Sequence, residues 1–434
     1  MPRTLLLALL FAAGCSKPTP TTEAPAAPPP APKPEPKPVV PVVVEPPEPA
    51  GPEVAPYPRV TVRRPEHALP DGVAFLLGQQ SPDGAWRSDV YATFKDGTAL
   101  TPLVVVALQE AAAVGIDPKG AAEARAKGSA FLAKMAKADG TIEEGPDGID
   151  YPAYTASLAV VALSHPENKA HAKARDAWVK YLLDRQLTDA LGWTADDKQY
   201  GGWGYCRVVP KKPEPNKVAP PLIESNVSAT LFALEALKAA GVTDKPRHEA
   251  ALFFVRRCQN WSIVPDNPDP GEEHRDGGFH FIYDDPVRNK AGEYTTTEGR
   301  PGRFNSYGSA TADGARALAL CGKKEGPYID DARAWLRNNF SATRHPGAYA
   351  KAMEPNRNAV YFYYAMSVSK ALRDGKIADV NGKSWAYDLG HELTRRQRRD
   401  GSWANPLELV RENEPLVATC YAVSALATCK AVGK

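Results

Sequence analysis

The chain has 434 residues, 43% of them hydrophobic, which is enough to bury a large core and exceeds the usual size of one small domain. Its 53 Lys and Arg against 51 Asp and Glu leave a formal net charge of +2, so the bulk basic footprint of a nucleic-acid-binding protein is excluded.

In chain order, residues 1–15 read first as a secretory signal: Arg3, an apolar run from Leu5 to Phe11, then Ala12-Ala13-Gly14-Cys15. The apolar run is too short to span a bilayer. Small residues ending in Gly-Cys resemble a bacterial lipobox, which implies that Cys15 becomes a lipid-modified N-terminus. Residues 16–60 hold 17 of the 42 prolines with Ala, Thr, Glu and Lys between them. Such a segment packs no core and samples extended polyproline II. An anchor followed by this spacer predicts a tethered domain in the cell envelope, periplasmic or on the outer surface, with the membrane as its partner through Cys15.

From residue 66 to 434 two kinds of helix alternate. The first kind is amphipathic: Leu69, Val73, Leu76 and Leu77 share one face, with Pro70 and Asp71 at the expected start. The second is apolar nearly all round, as in Leu103-Val104-Val105-Val106-Ala107-Leu108, and has to be buried on most sides. The outer kind aligns on Leu76 with Gln80, Leu182 with Gln186, Val255 with Gln259 and Leu393 with Gln397, while Leu132 and Leu336 are followed by Ala136 and Phe340 instead of Gln. The inner kind aligns on Ala-Leu steps ending at Leu108, Leu163, Leu237, Leu318, Leu372 and Leu426. In four of them a threonine precedes by seven residues: Thr101, Thr230, Thr311 and Thr419. Six pairs over residues 66–434 give about 61 residues per repeat, a helical hairpin plus a variable loop. The last inner helix, Val417 to Cys429, is as apolar as the others, which predicts a closed ring rather than an open solenoid with polar caps. The expected fold is therefore all-α, an (α/α)6 toroid of six helical hairpins.

The punctuation between helices carries a resemblance. An aromatic-Leu step, a Gln and then Gly-x-Trp appear in Phe75, Gln80 and Gly84-Ala85-Trp86, and the last two again in Gln397 and Gly401-Ser402-Trp403. Partial copies are Tyr181, Gln186 and Gly201-Gly202-Trp203, and Gln259 with Gly277-Gly278-Phe279. This resembles the Gln-Trp motif of the α/α-toroid superfamily of squalene–hopene cyclases and protein prenyltransferases, over about residues 66–434. The resemblance implies the fold; activity has to be read from sites. The cyclase signature, Asp-x-Asp-Asp-Thr-Ala before an Ala-Leu step, survives here only as Thr311-Ala312 and Ala317-Leu318, with Tyr307, Ser309 and Ala310 at the acid positions. Asp313 is the nearest carboxylate and is expected to point elsewhere on its helix. The prenyltransferase Asp-x-Cys is absent, His280-Phe281-Ile282-Tyr283 falls in a loop, and Cys321-Gly322-Lys323-Lys324 lacks the residues of a thioester site.

The remaining candidates are ordinary in type. The long irregular stretch from Ser262 to Gly308 holds Glu272, Glu273, His274, Arg275, Asp276, His280, Tyr283, Asp284, Asp285, Arg300 and Arg303. Its His and carboxylates lack a fixed ligand spacing, so no metal or cofactor is expected. Trp203, Tyr205, His280, Tyr283 and Tyr307 are the candidate ligand-binding residues. Tyr361, Tyr363 and Tyr364 lie within a helix, where core packing is the expectation. Cys321, Cys420 and Cys429 sit in apolar helices as small hydrophobes. The expected function is a module that binds an unidentified small molecule or protein. The alternatives are an isoprenoid-acting cyclase or transferase with a displaced acid, and a glycan hydrolase or lyase. Asp313, Asp276 and Glu224 are the candidate catalytic carboxylates.

Overall fold

The computed structural model describes residues 65–145, 148–261, 274–295 and 301–433. Cys15, the spacer 16–60, Glu272, Glu273 and Arg300 lie outside the described residues, and so does the side chain of Arg303. The described residues form twelve α-helices in strict alternation. The outer helices are α1 (Pro65–Gly78), α3 (Ala121–Lys134), α5 (Ala172–Leu183), α7 (Lys245–Arg257), α9 (Pro327–Asn339) and α11 (Trp385–Arg396). The inner ones are α2 (Leu100–Ala113), α4 (Pro152–Ser164), α6 (Val227–Ala239), α8 (Gly308–Leu320), α10 (Tyr361–Asp374) and α12 (Pro415–Val432).

Each inner helix packs on the next, and α12 packs back on α2, so the inner six close into a ring. Around it, α1 bridges α12 and α2, α3 bridges α2 and α4, and α5, α7 and α9 follow in the same way, while α11 packs on α12 and α1. This is the (α/α)6 toroid that the alternation predicts. In α4, α6, α8, α10 and α12 nearly every residue of the first ten is buried, which is why these helices are apolar all round. Although α12 is long and apolar enough to cross a membrane by length and composition, it is a buried wall of the ring. Cys420 and Cys429 are buried in it.

The first helix departs from expectation. It begins at Pro65, and Pro70 lies inside it rather than at its start. The missing Pro70 amide costs a helical hydrogen bond. Tertiary contact overrides that cost, because Ala68 and Leu69 are buried and the Ala68 carbonyl accepts a hydrogen bond from Gln397 Nε2 at 2.8 Å.

Connections from an inner helix to the next outer one are short, as in 114–120, 240–244 and 321–326; those from outer to inner are long, as in 184–226 and 258–307. The long ones gather where the inner helices begin, and two small antiparallel ladders decorate the fold: β1 (Glu293–Thr295) with β2 (Pro301–Phe304), and β3 (Asp379–Val380) with β4 (Lys383–Ser384).

Candidate functional site

The ring encloses a cavity of about 360 Å3 at the end where its inner helices start. Every inner helix contributes from its first two turns: Leu103, Tyr154, Phe232, Ser309, Tyr363 and Tyr421 come from α2, α4, α6, α8, α10 and α12 in that order. The long connections supply the rest, with Phe94, Tyr151, Tyr205, Phe281, Tyr307, Leu409 and a few charged side chains among them. Because all six N-termini face this space, the positive ends of six helix dipoles converge on it.

The aromatic wall is tightly packed. Tyr154 stacks on Tyr205 with ring centres 5.2 Å apart and meets Phe232 edge-on at 4.5 Å, and Tyr363 meets Tyr421 edge-on at 5.4 Å. Burial pushes the Tyr154 phenol up to about 12 and those of Tyr205, Tyr363 and Tyr421 well above their ordinary value. These phenols are neutral donors near pH 7.

Behind Tyr363 and Ser228 lies Asp313, on the second turn of α8 and fully buried. Its Oδ2 accepts from Ser228 Oγ at 2.5 Å and from the Tyr363 hydroxyl at 2.7 Å, and its Oδ1 accepts from Ser367 Oγ. The side chain therefore points to the ring interior and ties α6, α8 and α10 together, which corrects the expectation that it points elsewhere. Burial raises its carboxyl above the ordinary value against the pull of those three donors. It stands one layer behind the cavity wall.

Glu412 is the carboxylate in the wall itself, and sequence reasoning missed it. Its Oε1 accepts from the Tyr363 amide at 2.7 Å, and its Oε2 from the Phe362 amide at 3.0 Å and Asn405 Nδ2 at 2.9 Å, so it caps the N-terminus of α10 from a different repeat. Burial pushes its carboxyl up to about 7. No motif surrounds it, and its partner is 49 residues away, so no local signal marks it. His345 has a similar role at α8: its Nε2 accepts from the Ser309 amide at 2.8 Å, and burial pulls its imidazole down to about 3, which keeps it neutral.

The structure brings some of the expected site residues together and disperses others. Tyr205 and Tyr307 line the cavity. Trp203 does not line it: fully buried, its indole donates to the Leu182 carbonyl of the outer helix α5 at 2.9 Å. His280 is buried beside the Phe304 ring, and Tyr283 lies below the Lys198 ammonium, both away from the cavity. Asp276 braces Ser306 Oγ at 2.7 Å and Trp335 Nε1 at 3.0 Å, near the outer helix α9. Glu224 pairs with Arg288 at 2.8 Å. Of the tyrosines in α10, Tyr363 lines the cavity, whereas Tyr361 and Tyr364 turn outward and bond the carbonyls of Ala342 and Ser341. Deeper along the ring, near the C-terminal ends of the inner helices, Lys370 on α10 pairs with Glu110 on α2 at 2.7 Å and Arg316 on α8 with Glu235 on α6.

No family model matches this chain, and no curated protein matches it. Solved structures do match. The type II terpene cyclase MstE from Scytonema, in complex with its product merosterolic acid A, superposes with a TM-score of 0.53 at 15% identity, covering 85% of this chain and 97% of that one. Cellobiose 2-epimerase from Spirochaeta thermophila DSM 6192 superposes with a TM-score of 0.51 at 13% identity, covering 85% and 96%. Both share the α/α-toroid fold with this chain, and at these identities the likeness is one of fold.

Proposed function

We propose that the toroid binds one elongated, predominantly apolar ligand of the isoprenoid class in its central cavity, as a module held at a membrane surface by a lipid on Cys15 and the spacer 16–60. The observation that carries this reading is the wall. Aromatic and aliphatic side chains from five of the six inner helices, with Ser309 from α8, enclose about 360 Å3, in the size range of small-molecule sites. The Tyr363 hydroxyl is committed to Asp313, which leaves its ring for a hydrocarbon or a developing cation. A type II terpene cyclase of the same fold was solved with merosterolic acid A as product, which supports the same ligand class.

A second reading, acid catalysis on such a ligand, is favoured by Asp313. Burial raises the Asp313 carboxyl and so favours the protonated form that an acid catalyst has to hold. In such a step the Tyr363 hydroxyl would turn to give its proton to the ligand and take the Asp313 proton in its place, leaving an Asp313 carboxylate held by Ser228 and Ser367. The glycan reading is less well supported. It needs two carboxyl groups facing one sugar, and among the described residues Glu412 is the carboxylate of the cavity wall.

Native mass spectrometry of the purified full chain incubated with farnesol or geranylgeraniol tests the binding reading. One molecule per chain is expected. The variant Leu158→Trp, which fills the cavity from α4, lowers occupancy at least tenfold with an unchanged circular dichroism spectrum. Uptake of neither alcohol, or equal uptake by the variant, overturns the reading. Product analysis of the same mixtures decides on catalysis: turnover that Asp313→Asn abolishes supports the displaced acid.

A further inference from the structure

Two of the three cations that line the cavity wall lack a carboxylate partner among the described residues. Arg288, Lys290 and Arg411 line it, and among the described residues Glu412 is the carboxylate that does so. Arg288 is paired, with Asp285 at 2.5 Å and Glu224 at 2.8 Å. Among the described residues, neither Lys290 nor Arg411 has a carboxylate within ion-pair distance. Arg411 instead lies against the rings of Tyr91, Tyr151 and Phe94, at 5.0, 5.3 and 5.8 Å, and its Nη1 is buried without a hydrogen-bond acceptor. Burial and the neighbouring Arg288 pull the Lys290 ammonium below its ordinary value, a cost that a bound anion removes. Glu412 does not serve either cation, because its two oxygens accept from the 362 and 363 amides and from Asn405.

The backbone supplies a second, independent observation. Three lining residues that are not glycine hold left-handed φ values: Tyr151 at 48°, Leu222 at 59° and Arg411 at 65°. Bulky side chains avoid this region, and such strain concentrates at ligand sites. Arg411 is one of the three, and it lines the cavity. The six helix N-termini add their partial positive charge to the same space.

We infer that the ligand is an amphiphile with a single carboxylate head, its hydrocarbon among the tyrosines and its head against Lys290 and Arg411. The apolar part rests on the function proposed above; the head group is the addition. Lys290 and Arg411 against the Glu412 carboxylate leave at most one unit of positive charge, and the Arg288 cluster, one cation against two carboxylates, adds none, so the wall suits a monoanion better than a doubly charged phosphate. A guanidinium also takes a carboxylate through two parallel N–H donors.

Titration calorimetry of the full chain with farnesoic acid, farnesol and farnesyl monophosphate tests this. The acid is expected to bind at least tenfold tighter than the alcohol. Lys290→Met and Arg411→Met each cut that preference at least fivefold, and Lys290→Arg retains it. Equal affinity for acid and alcohol overturns the head-group assignment while leaving the apolar cavity standing. Uptake of none of the three overturns both. Tighter binding of the monophosphate overturns the choice of a carboxylate, and an undiminished preference in both Met variants overturns the roles of Lys290 and Arg411.

Discussion

Glu412 couples the site to pH with a definite sign. Its folded-state value of about 7 lies above the 4.5 of an ordinary glutamate, so between those values the folded chain holds a proton that the unfolded chain has lost. The stabilisation is complete below pH 4.5 and is lost as pH rises to 7, an effect on the order of 3 kcal/mol. Denaturant unfolding at pH 5 and pH 7 is expected to show this loss in the wild type, with the slope over that window flattened in Glu412→Gln whatever its baseline stability. A wild-type slope no steeper than that of the variant refutes the buried acid. Asp313 was visible in the sequence as a carboxylate on an inner helix. Its direction was not, because the register of a buried helix about the ring axis depends on Ser228, Tyr363 and Ser367, which reach it from two other helices.

At the level of elements, the recurring Gln, Gly, Trp and Thr act as one staple, repeated around the ring. Gln80, Gln186, Gln259 and Gln397 each donate through Nε2 to the carbonyl of a turn glycine and to a carbonyl at the start of the next outer helix: Ala124, Arg247, Tyr328 and Ala68. The indoles of Trp86, Trp203 and Trp403 donate back to Leu76, Leu182 and Leu393. The four threonines seven residues before an Ala-Leu step accept from the amides of Trp86, Trp203, Phe279 and Trp403, which explains a spacing that the sequence displays without a reason. The glycine is steric as well as conformational: a Cβ at Gly201 (φ +93°) would stand 1.9 Å from the Ala250 carbonyl oxygen of the neighbouring outer helix. Gly201→Ala is therefore expected to cost at least about 3 kcal/mol. At Gly241, where φ is +72° but nothing stands within 4 Å, the same change costs only about 1–2 kcal/mol of backbone strain. Thermal denaturation of the two variants checks the difference, and equal shifts would show that close approach plays no part.

For the molecule as a whole, closure makes the last repeat as necessary as the first. The staple at Gln397 joins α11 to α1 across 329 residues of sequence, and α12 packs on both α1 and α2. Gln397→Ala removes two hydrogen bonds and leaves the Ala68 and Gly401 carbonyls short of a donor, a loss of about 3 kcal/mol. Removing residues 415–434 exposes the apolar faces of α1 and α2 together. It is expected to abolish cooperative unfolding of all six repeats, which circular dichroism melting and hydrogen exchange would report. An open solenoid would instead lose one repeat and keep the others. Exchange protection persisting in α4 to α8 of the truncated chain would argue against a closed cooperative ring.

The sequence by itself determined the alternation of helices, their number, the closed ring and the residues of the staple, because these follow from hydrophobic periodicity and from local punctuation repeated every sixty residues or so. Only the tertiary structure decided which side chains meet at the axis. Tyr154, Ser228, Asp313, Tyr363 and Tyr421 come from five helices, and Lys290, Arg411 and Glu412 from connections with no period of their own. A cavity at the centre of a ring is built from a few residues of each repeat, so its chemistry is spread thinly along the chain and becomes readable only when the ring closes.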